Sequence, residues 1–496
     1  MPLTPQAIYR DFINGDLDKP FATELLITLI DNAENFETRI ESIDVLNKLQ
    51  VNDDKTFDFL EHLLISDLNE DIRNLTISVL RDRYLDRALE PMIWAIEHEN
   101  SLKCLISIIL TVGQIDNHDA REVLIKKLKK FSKNEEKHIL LNNSEKLTIE
   151  NLPNRELADI LINYYVISFL KTTFGYFRFK RNELWKITEL DLSNVERYSS
   201  GLNKLEYFLE PIFSLKALTS CDLRFNHLTT IPDCFNNSIE YLDLSYNKLI
   251  KLPTLSKYRN IINLNLKSNR LRTLPESIGS PLTLEYLNLR NNMLKALPKS
   301  ISLLTSLKIL DLHGNKLDSI KFDLSKSIKE LELGWNNFKA VPQGIKSLLS
   351  LERLGLGGNK LLELPTWIGD FKFLKQLDLY DNKLNEIPES IGNLGSLQNL
   401  NLRNNQLSVL PSSLQNLKSI ISLNLSWNNF STLPNWIGSL SLLEELNLWG
   451  NRLTALPKSI ALLPSLKVLD LNFNQFNEIP PFLKELEKSK GLIIKL

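Results

Sequence analysis

The stretch Leu397-Gln398-Asn399-Leu400-Asn401-Leu402-Arg403-Asn404-Asn405-Gln406-Leu407-Ser408-Val409-Leu410-Pro411 decides the fold. Its order is an apolar residue, two others, Leu, one other, Leu, two others, Asn, and it recurs along the second half of the chain with little drift. The asparagines fall at Asn226, Asn247, Asn269, Asn292, Asn315, Asn336, Asn359, Asn382, Asn405, Asn428, Asn451 and Asn474. Steps between them are 21 and 22 residues at first, 21 once more on reaching Asn336, and otherwise 23. Self-similarity at such a period is the mark of a solenoid, in which each unit buries its apolar side only against its neighbours.

Each part of the pattern has a physical reason. Leu400 and Leu402 are two apart, so on a strand both point to one face, the core, while Asn399, Asn401 and Arg403 point to solvent. The turn that follows leaves backbone donors and acceptors without partners. An Asn side chain carries both functions, so one buried Asn per turn forms a structural ladder through the stack. Leu407 and Leu410 refill the core, Pro411 ends further pairing, and residues 414–417 form the outer wall before the next strand. Thirteen units stack this way over residues 187–480, the first with Val195 in place of its Asn. Residues 481–496 are expected as a C-terminal cap. They form a charged helical stretch whose Phe482, Leu483 and Leu486 close the core and whose Lys484, Glu485 and Lys488 face water.

Residues 187–480 resemble the intracellular leucine-rich repeats that carry Leu-Pro-x-x-Ile at the turn, as in Leu297-Pro298-Lys299-Ser300-Ile301 and Leu456-Pro457-Lys458-Ser459-Ile460. The resemblance implies an α/β solenoid, a horseshoe with a parallel sheet on its concave side, and a partner-binding role. In animals and plants such repeats are often associated with Ras-like small GTPases and signalling scaffolds, so a small GTPase is one implied partner. The repeat at Leu307 departs from the pattern, with Lys321 where Pro belongs, and a local change of curvature is expected near residues 320–330.

Before residue 187 the period becomes helical. Residues 56–65, 71–80, 88–96, 102–110 and 120–131 carry apolar residues three and four apart, with Ile72, Leu75 and Val79 on one such face and Leu102, Leu105 and Ile109 on another. Short amphipathic helices at this spacing read as an all-α solenoid preceding the repeats, and the stretches around Asp71 and Leu89 resemble HEAT repeats over residues 1–131. Residues 132–186 are expected as a linker and a capping helix, with Asn154 capping the helix.

Length, charge and cysteine count narrow the function class. Of 496 residues, 43% are hydrophobic and 24% charged, which suits a folded, water-facing protein. The net charge of −1 gives no global attraction to nucleic acid or anionic lipid. Cys104, Cys221 and Cys234 have no paired spacing; Cys221 and Cys234 fall at apolar positions of the repeat. The amino terminus lacks a basic-then-apolar signal, and no apolar run nears the roughly 20 residues that cross a bilayer. The cytoplasm is therefore the expected compartment. The six histidines lie at no metal-ligand spacing, and no Ser/His/Asp grouping, catalytic site or cofactor motif stands out. Gly355-Leu356-Gly357-Gly358-Asn359-Lys360 is in register with the repeat and lacks the Gly-Lys-Ser/Thr of a phosphate loop. The run Lys126-Lys127-Leu128-Lys129-Lys130-Phe131-Ser132-Lys133 is the one candidate for nucleic acid or a membrane surface, and a solvated helix face accounts for it as well.

Aligning the units isolates the side chains that face the hollow. Those with the chemistry of interface anchors are Arg224, Phe225, Tyr246, Arg290, His313, Trp335, Arg353, Tyr380, Arg403, Trp427, Trp449 and Phe473. Trp335, Tyr380, Trp427, Trp449 and Phe473 form an aromatic track, while Gly355, Gly357 and Gly358 leave a bare spot for close approach. Between the paired leucines runs a half-acidic line, Asp222, Asp243, Asp311, Glu332, Asp378 and Asp470 among asparagines, which phosphates would avoid. Trp367 and Trp436 belong to the outer wall. The expected function is a non-catalytic scaffold or adaptor for a protein partner; the alternatives are a small-GTPase regulator or effector, and nucleic-acid or membrane-surface binding through residues 126–133.

Overall fold

The computed structural model describes residues 3–132, 149–197, 204–233, 237–476, 478, 480–483, 485 and 491–495. Cys234, Lys133, most of the expected linker, and Lys484, Leu486 and Lys488 of the expected cap lie outside them. The chain divides into two compact units, one of Met1–Leu190 with Tyr207–Leu218, the other of Asp191–Glu206 with Thr219–Leu496.

The first unit is helical. Its helices are α1 (Pro5–Ile13), α2 (Lys19–Asn32), α3 (Phe36–Lys48), α4 (Asp54–Ser66), α5 (Glu70–Arg83), α6 (Leu89–His98), α7 (Leu102–Gln114), α8 (His118–Ser132) and α9 (Asn154–Phe174). Side-chain caps start many of them: Thr4, Asp18, Asn35, Asp53, Asn69 and Ser101 each accept a hydrogen bond from the free N–H groups of the first turn. Alternate helices pack on one another, α3 on α5, α5 on α7 and α7 on α9, with α4 on α6 and with α2, α4, α6 and α8 lying against α3, α5, α7 and α9. This two-layer stacking is the helix-pair solenoid that the apolar spacing predicts. Arg39 and Arg73, 34 residues apart, fill equivalent places at the fourth residue of α3 and α5. Arg39 pairs with Asp67 and Arg73 with Glu99, so each guanidinium ties its helix to the loop opening the next pair. Asn154 does not cap α9; its amide turns to the carbonyls of Ile115 and Asn117 at 2.8 and 3.3 Å, closing α9 onto the end of α7.

A hairpin of β1 (Arg178–Arg181) and β2 (Ile187–Asp191) follows α9. Asn163 of α9 accepts the Ile187 N–H at 2.7 Å, and Lys186 pairs with Glu156 and, at 3.7 Å, with Asp159. A short helix, α10 (Leu209–Phe213), completes this unit.

The second unit is a parallel sheet in chain order. Its strands are β3 (Ser220–Asp222), β4 (Tyr241–Asp243), β5 (Asn263–Asn265), β6 (Tyr286–Asn288), β7 (Ile309–Asp311), β8 (Glu330–Glu332), β9 (Arg353–Gly355), β10 (Gln376–Asp378), β11 (Asn399–Asn401), β12 (Ser422–Asn424), β13 (Glu445–Asn447), β14 (Val468–Asp470) and β15 (Ile493–Lys495). The central residues are in register from Cys221 through Leu242, Leu377, Leu400 and Leu469 to Ile494. The first of each leucine pair is thus one buried column, and the second, such as Leu402, another. Repeat length sets the outer wall. Units with a step of 23 residues fold a 3-10 turn there, such as Thr366–Asp370, whereas the described residues of the shorter units at Asn226, Asn247 and Asn315 hold none. The one or two residues that the shorter units lack are what the turn needs. In the unit without Pro at residue 321, Leu324 keeps the core place that Ile holds three residues after Pro elsewhere, and its N–H donates to Gly344 O at 2.9 Å.

The end of the array differs from the expected cap. Leu483 is buried and residues 481–483 are helical, but the edge of β14 is covered by a strand, β15. Leu471 N–H donates to Lys495 O at 2.8 Å and Ile493 N–H to Lys467 O at 2.9 Å. The alternation of buried Leu492 and exposed Ile493 is a strand signal, and an open sheet edge has donors that need partners.

Candidate functional site

The asparagines sit where neighbouring units meet. Asn405 Nδ2 donates to Leu379 O at 3.0 Å, Leu402 O at 3.1 Å and Arg403 O at 3.3 Å, and its Oδ1 accepts Leu384 N–H at 3.1 Å. The amides of Asn247, Asn269, Asn292, Asn336, Asn359, Asn382, Asn428 and Asn451 repeat these contacts; Asn315 keeps those to Leu289 O and Leu312 O. Asn226 reaches Leu192 O and Glu196 N at the start, and Asn474, half-buried, ends the series.

The half-acidic line has a local task that the sequence reading missed. In β3 to β7 and β10 to β14 the side-chain Oδ1 of this residue accepts the N–H two positions on, at 2.8 to 3.3 Å. Asp and Asn do this equally well, which is why they alternate freely there. Glu332 and Gly355 are the exceptions. The Glu332 carboxylate lies over the Gly355 Cα, where a Cβ would stand 1.9 Å from Oε2, and reaches Arg353 Nε at 2.7 Å. Burial raises the carboxyls of Asp222, Asp311, Glu332 and Asp378 above their ordinary values.

Three positions after this line the backbone turns left-handed in every unit. Phe225, Tyr246, Ser268, Asn291, Gly314, Trp335, Gly358, Asp381, Asn404, Trp427, Gly450 and Phe473 all have φ between +51° and +68°. Such a backbone costs a residue with a Cβ about 1–2 kcal/mol. From Phe225 to Gly450 the N–H of each donates to a carbonyl of the following unit, at 2.7 to 3.1 Å, which offsets the cost. The Cβ then points along the stack, so each of these side chains leans over the next unit.

Over Gly314 lies the Asn291 amide, whereas over Gly358 and Gly450 a large ring lies flat. A Cβ at Gly358 would stand 2.8 to 2.9 Å from Cγ, Cδ2 and Cε2 of Trp335, and one at Gly450 would stand 3.1 to 3.4 Å from Cδ2, Cε3 and Cε2 of Trp427. Near-equal distances to fused ring atoms mean that a ring face rests on the glycine. The expected bare spot is therefore filled: Trp335 covers Gly358, the Tyr380 ring covers Gly357, and the Glu332 carboxylate covers Gly355. Gly358→Ala should displace the indole and strain the turn. The expected loss is about 1–2 kcal/mol, read as a lower denaturation midpoint with altered Trp emission; an unchanged midpoint and spectrum would refute the packing.

The aromatic track resolves into two clusters, and Phe225 with Tyr246 makes a third outside it. Phe225 and Tyr246 stack at 4.3 Å; Trp335 Nε1 donates to Tyr380 Oη at 2.6 Å; Trp449 meets Trp427 edge-on at 5.2 Å and Phe473 at 5.8 Å. Exposure is 48% at Phe225, 40% at Tyr246, 51% at Trp335, 45% at Trp427 and 76% at Phe473, so these rings face solvent, whereas Tyr380 and Trp449 are half-buried beneath them. Arg224 pairs with Asp222 at 2.9 Å, Arg290 lies 3.9 Å from Asp311, and Arg403 sits 5.9 Å over the Trp449 ring. Burial, with Arg290 nearby, holds His313 at about 4, so it is neutral at pH 7. Trp367 and Trp436 are half-buried on 3-10 turns of the outer wall.

Other candidates are placed elsewhere. Lys127 turns inward to Glu97 at 2.8 Å, leaving Lys126, Lys129 and Lys130 exposed on α8. Cys104 and Cys221 are buried thiols; burial raises both, Cys104 to about 12. Among the described residues no cluster of three or more His, Cys, Asp or Glu side chains could hold a metal, and no helix is long and apolar enough to cross a membrane.

Known proteins share this arrangement. The family description "Leucine-rich repeat region" matches residues 340–426 and 366–452, "Leucine Rich repeats (2 copies)" matches 441–485, and "Leucine rich repeat" matches 259–317. Osteomodulin of Rattus norvegicus is 30% identical over 158 residues, 30% of this chain and 34% of its own. The chain thus spans about a third of the length of the curated relatives it matches. A leucine-rich-repeat protein of Leptospira interrogans is 30% identical, with a TM-score of 0.48, over 65% of this chain and 94% of its own. The functional domain of InlJ from Listeria monocytogenes has the same fold at 22% identity and a TM-score of 0.52, over 63% of each chain. With the repeated strand, asparagine and turn in each unit, the family matches show that this is a leucine-rich-repeat protein.

Proposed function

We propose that this chain is a non-catalytic scaffold that holds a protein partner against the concave face of its repeats. The observation that carries this reading is the row of rings raised on left-handed turns, with Phe225, Tyr246, Trp335, Trp427 and Phe473 kept in water. Exposed aromatic surface has a hydration cost that an intramolecular fold relieves by burial, and interface anchors are drawn from these residue types. Polar side chains between the clusters, such as Gln376, Asn399, Asn401 and Ser422, line a shallow groove that can satisfy a partner's backbone.

The test is capture from the native cell by the full chain and by the double variant Trp427→Ala with Trp449→Ala. Loss of a captured partner, roughly a hundredfold in affinity for two anchors at about 1–2 kcal/mol each, is expected. Retention of every partner by a variant with unchanged circular dichroism removes the site. A small-GTPase regulator or effector is a narrower form of the same reading, supported by the family resemblance; equal capture of a GTPase in both nucleotide states rejects it. The cytoplasm suits a chain whose described cysteines are buried free thiols. Nucleic-acid or membrane binding through residues 126–133 has less support, since Lys127 is already paired with Glu97.

A further inference from the structure

The concave rows hold five cations from β3 to β14 whose engagements are visible, and each is taken by the chain itself. Arg224 pairs with Asp222, Arg290 stands by Asp311, and Arg353 pairs with Glu332. Lys267 sits 5.3 Å over the Tyr246 ring and Arg403 5.9 Å over the Trp449 ring. The carboxylates outnumber them. Asp243, Asp378, Asp381 and Asp470 have N–H or hydroxyl donors and, among the described residues, no ion pair: Asp381 Oδ1 accepts from Asn404 Nδ2 at 2.7 Å, and Asp378 Oδ1 from Tyr380 N–H at 3.3 Å.

The ring faces show the same imbalance. Trp335 and Trp427 each rest one face on a glycine, are half exposed, and have no cation of the described residues over the other face. An indole face with carboxylates nearby attracts a guanidinium or ammonium group electrostatically. Along the left-handed row the order from Trp335 is ring, glycine, carboxylate at Asp381, amide at Asn404, then ring again at Trp427. Strands about 4.8 Å apart put the two indoles roughly 19 Å from each other, the span of about six residues of extended chain.

We infer that the partner presents a basic segment, lying across the strands, whose arginine or lysine side chains seat on the open faces of Trp335 and Trp427 beside Asp378 and Asp381. This rests on the concave-face reading and gives its occupant a chemistry. Charge complementarity selects the occupant, because the chain's own cations are spent and its carboxylates are not.

The probe is octa-arginine, titrated into the full chain by calorimetry, with octa-citrulline and octa-glutamate as equal-length controls. Saturable binding of octa-arginine alone is expected. Trp335→Leu with Trp427→Leu, which leaves the net charge unchanged, should weaken it at least tenfold; Trp335→Phe with Trp427→Phe should restore part of the loss. Asp378→Asn with Asp381→Asn should weaken it with both rings in place. Octa-arginine affinity that is absent, matched by octa-citrulline, or indifferent to the leucine pair overturns the inference. Those results leave the scaffold reading standing if the Trp427→Ala and Trp449→Ala variant still loses its cellular partner, so the two failures are separable.

Discussion

Asn405→Leu is expected to cost the repeat unit about 2–4 kcal/mol, more than any concave-face change. The amide is buried, and its removal orphans the Leu384 N–H, which has Asn405 Oδ1 as its acceptor. A buried unmade donor costs about 1–3 kcal/mol. Leu379 O and Leu402 O lose less, because each also accepts from a neighbouring ladder amide, Asn382 Nδ2 and Asn428 Nδ2. Arg403 O retains the N–H of Asp381 at 2.8 Å. In a nearest-neighbour array the damage falls on one interface, so it should appear as faster hydrogen exchange at Leu384 and its neighbours and as a broader, earlier denaturation transition. Asn474→Leu, at the half-buried end of the ladder, should cost about 1 kcal/mol. Equal effects at both positions would contradict the account.

The second large effect belongs to the helical unit. Arg73 Nε and Nη2 hold the two Glu99 oxygens at 2.8 Å, and Nη1 reaches Asp67 O and Leu68 O at 2.9 and 3.1 Å. Arg73→Met leaves Glu99 buried without a cation, with an expected loss of about 3–5 kcal/mol at pH 7. The pH dependence gives the mechanism its signature. In the native protein burial opposes the charged Glu99, yet Arg73 and the N–H groups of Ser101 and Asn100 together hold its carboxyl below the ordinary 4.5. That contribution is fully present above 4.5 and is lost as pH falls through the lower folded value. In the variant burial dominates and raises the group, so the deficit should be largest at neutral pH and shrink on acidification through 4.5. Urea titrations at pH 7 and pH 4 compare the two, and a deficit that does not change with pH would exclude the ion pair as its cause.

The legibility of the site differs by position. The core columns, the asparagine turns and the amphipathic helices of residues 54–132 follow from period alone, because burial repeats wherever the backbone repeats. Helices α1 to α3 were equally open to reading from Thr4-Pro5, Asp18-Lys19-Pro20 and Asn35, which stand as capping signals ahead of apolar residues. The covered glycines were legible only in part. Gly358 follows Trp335 by one repeat and Gly450 follows Trp427 by one repeat, a pairing visible in the alignment once the side chains are known to lean forward. The direction of lean comes from φ near +55°, which no residue type at that position announces, since Phe, Tyr, Trp, Ser, Asn, Asp and Gly all occur there.

Sequence by itself determined which residues are core, ladder and solvent-facing in each unit, because strand alternation and the hydrogen-bonding needs of a turn are local. Tertiary structure alone decided which solvent-facing side chains meet. The contacts of Trp335 with Gly358 and Tyr380, of Glu332 with Arg353, and of Arg403 with Trp449 join different units, and stacking fixes them through the left-handed turn. The same stacking left Trp335 and Trp427 with one face on glycine and the other in water, and it let a strand at residues 493–495 close the sheet. A linear pattern records what each position needs, and only the packed array sets which neighbour supplies it.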